Sequence, residues 1–156
     1  MSEQKETNKI KEAVEEFFNK MTITVSGVEV AVVPEEGKEV VDLAVELEEP
    51  QILIGQGGQT LFEIQRLLRT VLNKKLQKVF YLNLDINGYK KKKIEYLKDL
   101  AKSLADQVAI TKEEKKLLPM SPYERRVIHA ELSQRTDIIT ESQGEGPERH
   151  IVIKPK

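Results

Sequence analysis

Ile54-Gly55-Gln56-Gly57-Gly58-Gln59-Thr60 separates a short apolar segment from a long one and decides the fold of the first half of this chain. Glycines allow positive φ angles and close approach of the backbone, and a following helix presents free N–H groups at its positive end. This combination suits a phosphate group. A Walker loop would need a Lys at its end, and a dinucleotide fingerprint would need a glycine at position 60. Neither is present, so the stretch predicts a phosphate-facing turn of another kind.

The segments on either side of the glycines predict a complete α+β domain with the order α-β-β-α-α-β. Apolar residues recur at helical spacing in some segments and alternate with polar residues in others. The alternation changes phase at Ser26-Gly27, which indicates a bulge or a turn. The predicted elements are a helix at about 8–20, strands at 23–32 and 41–47, a short apolar turn at 52–54, a long helix after the glycines and a strand at 80–84.

A second pattern starts after Asn87-Gly88, so we expect two domains, residues 1–87 and residues 88–156. The second comprises a helix at 89–108, a short extended stretch at 112–118, a helix to about Ser133 and two strands at 138–141 and 150–153. Ser121-Pro122-Tyr123-Glu124 predicts the start of the second helix. It places Ser at the N-cap, Pro at the first helical position and Glu where it closes a capping box.

The composition excludes several classes of protein. The chain has 156 residues, a net charge of −1 and no cysteine, which excludes disulfide frameworks, thiolate nucleophiles and cysteine-based metal sites. Residues 1–49 contain five basic and 13 acidic residues, whereas residues 50–156 contain 20 basic and 13 acidic residues. This asymmetry fits one polyanion-facing side or merely a charged exposed face. The sequence has no long apolar run and no apolar leader, so we expect a cytoplasmic protein without membrane insertion.

The glycine stretch resembles the helix–GxxG–helix of KH domains, with Gly55 and Gly58 as the two glycines. Many helix–helix turns contain two glycines, so a plain turn is the alternative. The element order, with an extra helix and strand ahead of the core, resembles the bacterial type II arrangement. The expected fold class is therefore α+β, with a type II KH domain followed by a small domain that ends in a β-hairpin.

Arg125 and His129 lie four residues apart on one predicted helix, the separation for which the R-3-H family of single-strand nucleic-acid-binding domains is named. They stand within PMSPYERRVIHAEL, and TESQGEGPERHIVIKP follows. In this order after a KH-like domain, the two stretches resemble the bacterial Jag family (KhpB type) over about residues 8–156. We expect no counterpart here of the separate N-terminal module that many Jag proteins carry.

The resemblance implies single-stranded RNA as the ligand, with single-stranded DNA as a lesser alternative, and a small single-KH protein as a partner. It also implies a post-transcriptional role linked to cell elongation, division, shape or cell-wall biogenesis. Backbone groups of the loop would hold the sugar–phosphate, and bases would lie between the long helix and the second strand. The implied RNA-binding residues are Gly55, Gln56, Gly57, Gly58, Gln59, Thr60, Arg125, Arg126, His129, Arg149 and Lys154.

Two features depart from the family pattern, and two alternative functions stay open. Gln56 and Gly57 replace the basic residues that family members usually carry between the glycines, and Glu148 places an acid in the last hairpin. A protein-interaction scaffold without RNA binding is the main alternative function, and a hydrolase that uses Arg125 and His129 is a weaker one. We expect no catalytic residues, metal or cofactor, a solvated run at Lys90–Lys93 and a packed Tyr123.

Overall fold

The computed structural model describes residues 2–156, which form two compact units that divide between Lys90 and Lys91. Each unit has its own hydrophobic core. The elements of the first unit are α1 (Glu3–Lys20), β1 (Val25–Glu35), β2 (Lys38–Leu47), α2 (Gln51–Ile54), α3 (Gln59–Leu76) and β3 (Tyr81–Ile86). Helix α4 (Tyr89–Thr111) starts at the end of the first unit. The second unit continues with β4 (Lys115–Lys116), α5 (Pro122–Leu132), β5 (Ile138–Gln143) and β6 (His150–Pro155).

The first sheet has the strand order β1-β2-β3, in which β1 and β2 are antiparallel and β2 and β3 are parallel. The pairing shifts between Val25 and Gly27, which confirms the predicted irregularity at Ser26-Gly27. Asn87 extends the sheet beyond β3. Its side chain accepts a hydrogen bond from the Leu47 N–H (2.8 Å) and donates one to the Leu47 carbonyl (2.9 Å).

The helices of the first unit pack their apolar stripes onto one face of this sheet. Alternate residues of β2 and β3 point into that core, as do the apolar residues of α1 and α3. Helix α1 starts five residues earlier than its apolar stripe predicts. Its first turns consist of strong helix formers and carry Glu3 and Glu6, which favour the positive end of the helix dipole.

The second unit is a three-stranded antiparallel sheet in the order β4-β6-β5, with helices that contribute to the same core. The predicted capping box is confirmed. The Glu124 N–H donates to Ser121 Oγ (3.3 Å), and the Ser121 N–H donates to Glu124 Oε2 (3.1 Å). Strands β5 and β6 form the predicted C-terminal hairpin, so the predicted α+β class is confirmed.

Residues 2–156 contain neither a membrane-spanning helix nor a cluster of metal-ligating side chains. Among the helices of this part of the chain, none has the length and apolar character needed to cross a membrane. In the same residues, no group of three or more His, Asp or Glu side chains lies close enough together to hold a metal ion.

Candidate functional site

The turn between α2 and α3 depends on Gly55. Its backbone has φ 71° and ψ −177°, a conformation that is essentially restricted to glycine. A Cβ atom at this position would lie 2.2 Å from Thr60 Oγ1 and 2.8 Å from Thr60 Cβ. The Gly55 N–H donates to the Gln51 carbonyl (3.0 Å), which ends α2. The turn and the first residues of α3 therefore fit together only when position 55 has no side chain.

The rest of the turn is a single 3₁₀ turn formed by Gln56, Gly57 and Gly58. Gly58 has φ 83°, in the left-handed region, and is the N-cap of α3. A Cβ atom there would lie 3.0 Å from Cε1 of Tyr89. The Tyr89 ring, at the start of α4, thus packs against the turn from one side.

The start of α3 offers backbone donors rather than charge. Because its N-cap is a glycine, no side chain caps the first turn of this helix. Gln56 and Gln59 are exposed, and Gln59 Nε2 donates to Glu63 Oε1 at 3.4 Å. Thr60 is half-buried against Gly55. The structure therefore brings the six predicted loop residues together at the positive end of an 18-residue helix.

The expected position of the base groove beside the second strand is wrong. Strand β2 is the central strand of its sheet, because β1 pairs with one of its edges and β3 pairs with the other. Its helix-facing side chains are buried in the core: Val41, Leu43, Val45 and Leu47.

Helix α3 instead runs beside β3, which forms an edge of the sheet. The Leu84 N–H donates to Gln65 Oε1 (3.0 Å), and the Phe80 N–H donates to Asn73 Oδ1 (3.2 Å). Side chains of α3 therefore satisfy one backbone donor within the edge strand and one directly before it.

Lys90 is not the solvated residue that its position in a lysine run predicts. Its Nζ donates to Asn83 Oδ1 (2.6 Å) and to Gln65 Oε1 (3.0 Å). Burial lowers the pKa of this ammonium group, although Asp85 and Asp42 act in the opposite direction. Lys90 therefore fixes the start of α4 to the first sheet. Lys91 and Lys92 are exposed, as predicted, whereas Lys93 is half-buried and forms an ion pair with Glu124 (2.9 Å).

In the second unit, Arg125 and His129 make hydrogen bonds within the fold. Arg125 Nη1 donates to the Met120 carbonyl (2.9 Å). His129 Nδ1 lies 2.7 Å from Thr140 Oγ1, and Nε2 lies 3.0 Å from Ser142 Oγ, so both ring nitrogens bond to β5. Burial, followed by the nearby Arg125 guanidinium, lowers the pKa of His129 below its usual value. Both side chains thus connect α5 to its surroundings.

The other predicted residues of this unit differ in whether their side chains have partners within the fold. Arg149 Nη1 donates to the Gly144 carbonyl (2.7 Å), within the loop before β6. Lys154 forms an ion pair with Glu141 (2.8 Å), which raises the pKa of Lys154 and lowers that of Glu141. Arg126 is exposed and forms no ion pair within residues 2–156.

Tyr123 is 58% exposed, so the expectation that it packs under the helix is wrong. As the second residue of α5, it precedes the turns that contribute to the core. Tyr123 and Arg126 are three residues apart and share an exposed face of the helix.

Comparison with known proteins identifies the family. The chain is 36% identical to the RNA-binding protein KhpB of Clostridium symbiosum, over 99% of this chain and 69% of that protein. The chain belongs to the KhpB family. It is also 39% identical to the RNA-binding protein KhpB of Bacillus subtilis, over 78% of this chain and 60% of that protein. The similar protein of Streptococcus pneumoniae strain D39 is 30% identical over 72% of this chain and 34% of its own length.

The family model for the R-3-H domain matches residues 95–155, which contain α5 with Arg125 and His129. This match and the KhpB relatives confirm the resemblance that the two quoted stretches of the second half predicted.

Sequence reasoning missed one cluster of charged and aromatic side chains in the first unit. The Arg69 guanidinium carbon lies 4.6 Å from the Tyr81 ring centroid, and Lys38 Nζ lies 5.0 Å from it. These side chains meet because of the pairing register of the strands and the position of α3, and sequence periodicity alone predicts neither.

Proposed function

We propose that this protein binds single-stranded RNA without catalysis, through a type II KH domain (residues 1–87) followed by an R-3-H domain (residues 88–156). Membership of the KhpB family supports this proposal, because the relatives carry the name RNA-binding protein. The proposed role is post-transcriptional regulation in the cytoplasm, linked to cell elongation, division or envelope growth. The proposed protein partner is a small single-KH protein, and single-stranded DNA is a weaker ligand.

The geometry of the glycine turn is the observation that carries the proposal. Gly55 and Gly58 adopt backbone conformations that favour glycine, and the turn leads directly into the uncapped start of α3. Backbone N–H groups at a helix start, together with the helix dipole, favour a phosphate. The exposure of Gln56 and Gly57 leaves this side of the turn open to a nucleic-acid backbone.

The loop itself supplies no positive charge, so its phosphate contact depends on backbone donors alone. Charge-assisted hydrogen bonds are roughly twice as strong as neutral ones. We therefore expect the loop to position the strand and exposed cations elsewhere to supply much of the salt-dependent affinity.

In the second unit, the exposed face of α5 is the proposed contact surface. Arg126 would contact a phosphate, and Tyr123, three residues earlier, offers a ring on which a base could stack. Arg125, His129 and Arg149 would act mainly by holding the fold around this face, because they already have partners.

A protein-interaction scaffold without intrinsic RNA binding is the second candidate function. It is favoured by the intramolecular partners of Arg125, His129, Arg149 and Lys154 in the second unit. Salt-dependent binding to single-stranded RNA separates the two functions, since a scaffold would show none.

Substitution of Gln56 tests the loop without disturbing the glycines. Gln56→Lys should tighten binding of a labelled single-stranded RNA. It should also steepen the salt slope, which is the slope of log K against the logarithm of the salt concentration, by about 0.7, the value for one phosphate contact on a single strand. Gln56→Asp should weaken binding because it places a carboxylate near the phosphate. Gln4→Lys, at an exposed position of α1, adds the same charge far along the sequence from the turn.

Anisotropy titrations at several salt concentrations measure both quantities. If Gln56→Lys, Gln56→Asp and Gln4→Lys all bound as the wild type does, the turn would have no part in RNA binding. If the wild type itself showed no salt-dependent binding, the scaffold would be the better function.

A further inference from the structure

Tyr81 lies on the outer face of the first sheet, opposite the helices. Its neighbours Phe80 and Leu82 are buried, whereas the Tyr81 side chain is 42% exposed. Arg69 and Lys38 both lie over its ring, at 4.6 Å and 5.0 Å from the centroid. An aromatic ring attracts cations to its face and so gathers two positive charges at one point of the surface.

The strand register explains why these side chains meet. Val33 pairs with Val40, and Val40 pairs with Tyr81, so the three form a row across the sheet on one face. Lys38 is two residues before Val40 and therefore points to the same face. The row is apolar and accessible, since Val33 is 43% exposed.

Arg69 reaches the same place from α3. Gln65 and Asn73, four residues before and after it, accept hydrogen bonds from backbone N–H groups within β3 and directly before it, respectively. Residues four apart share a helix face, so Arg69 also points toward the edge formed by β3. The helix is thereby fixed in the position that places the guanidinium over Tyr81.

Neither cation is neutralised within residues 2–156. Lys38 and Arg69 form cation–π contacts but no ion pair, whereas Lys78 pairs with two carboxylates of the same unit. Glu35 lies directly opposite Lys38 in the register, yet Lys38 contacts the ring instead. Two unpaired charges beside an open apolar row make this surface complementary to an anion that carries a flat apolar group.

We propose that Lys38, Tyr81 and Arg69 form a second nucleotide site, where the two cations bind a phosphate and the ring and Val40 support the attached base. This inference rests on the proposed RNA-binding function and extends it beyond the glycine turn. Arg69 is ten residues from Gln59, which corresponds to about 15 Å along the axis of α3. A strand held at the turn would thus reach this site only when it extends well past the loop.

The test compares a short and a long single-stranded oligoribonucleotide. The double variant Lys38→Gln/Arg69→Gln should bind the long strand more weakly and lower its salt slope by about 0.7, because the contact with one phosphate is lost. It should bind the short strand as the wild type does. Lys9→Gln/Lys11→Gln, at exposed positions of α1, removes the same charge and is the matched control.

Two further variants separate the ring from the charges. Tyr81→Leu should weaken binding of the long strand about tenfold, the value expected for one lost base stack, with little change in the salt slope. Lys38→Arg/Arg69→Lys keeps both charges and should keep most of the slope. Melting temperatures of all variants show whether each one is folded.

The outcomes distinguish this site from the general function. If the wild type bound RNA but Lys38→Gln/Arg69→Gln and the α1 control gave equal slopes for the long strand, the second site would be refuted. If labelled polyglutamate bound directly to the wild type and not to that variant, while RNA slopes were unchanged, the surface would serve an acidic protein segment instead. Absence of RNA binding by the wild type would refute the proposed function as well.

Discussion

Replacing Gly55 with Ala should destabilise the first unit strongly. The backbone at φ 71° and ψ −177° is unfavourable for any residue with a Cβ, at a cost of about 1–3 kcal/mol. The new methyl group would also lie 2.2 Å from Thr60 Oγ1, and overpacking of this kind costs about 1–3 kcal/mol. We therefore expect the free energy of unfolding to fall by about 2–6 kcal/mol.

Gly37→Ala is the matched control for this prediction. Gly37 also has a positive φ, 77°, but a Cβ atom there meets nothing within 4 Å. Its substitution should cost only about 1–2 kcal/mol, the backbone part of the penalty. Denaturant unfolding monitored by circular dichroism measures both losses.

A double variant divides the penalty further. Gly55→Ala/Thr60→Ala removes the 2.2 Å contact but leaves the position of the Thr60 Cβ, at 2.8 Å, still occupied. It should recover part of the loss relative to Gly55→Ala alone. A loss at Gly55 no larger than that at Gly37 would refute the reasoning, because the turn would then tolerate a side chain without the close fit to Thr60.

Two further predictions concern the second unit. Arg126→Gln should lower the salt slope of RNA binding by about 0.7, whereas Lys154→Gln should leave it unchanged, because Lys154 is paired with Glu141. Equal effects of the two substitutions in anisotropy titrations would contradict this assignment. His129→Gln should make thermal stability less dependent on pH. The pKa of His129 is lowered in the folded state, so the unfolded chain binds the proton more readily and the wild type loses stability as the pH falls through about 6.5. Glutamine can keep hydrogen bonds to Thr140 and Ser142 but does not titrate. If the melting temperatures of both proteins fell equally between about pH 7 and about pH 5.5, His129 would be excluded as the cause.

Local features of the sequence were enough to predict much of the fold. The bulge near Gly27, the capping box at Ser121 and the turn after Ile54 were all predicted correctly, because each depends on residues adjacent in the chain. The early start of α1 was missed because helix propensity extends beyond the apolar stripe by which the helix was located.

Side-chain environments that depend on distant residues were predicted less well. Lys90 is held by Gln65 and Asn83, which come from another helix and a strand. The Tyr81 ring meets cations that are 12 and 43 residues away in the sequence. Periodicity indicates which face of an element is buried, but it gives neither strand order nor the partner of a polar side chain.

The charge distribution shows why local pairing decides where a polyanion can bind. The first third of the sequence is strongly acidic, so its net charge alone would predict that it lies away from RNA. In the structure, several of its carboxylates are already paired. Lys75 and then Lys20 hydrogen bond to Glu16 and lower its pKa to about 2, and Lys78 pairs with both Glu6 and Glu39.

Lys38 belongs to the same acidic segment but keeps its charge free beside Tyr81, whereas Lys154 in the basic half is neutralised by Glu141. Net charge over a segment therefore does not identify the cations that can contact a phosphate. A cation contributes to salt-dependent binding only when binding releases counterions from the RNA, and a lysine held by a carboxylate must first break that pair. Salt slopes measured one side chain at a time should consequently follow the pairing in the folded structure rather than the charge of the surrounding sequence.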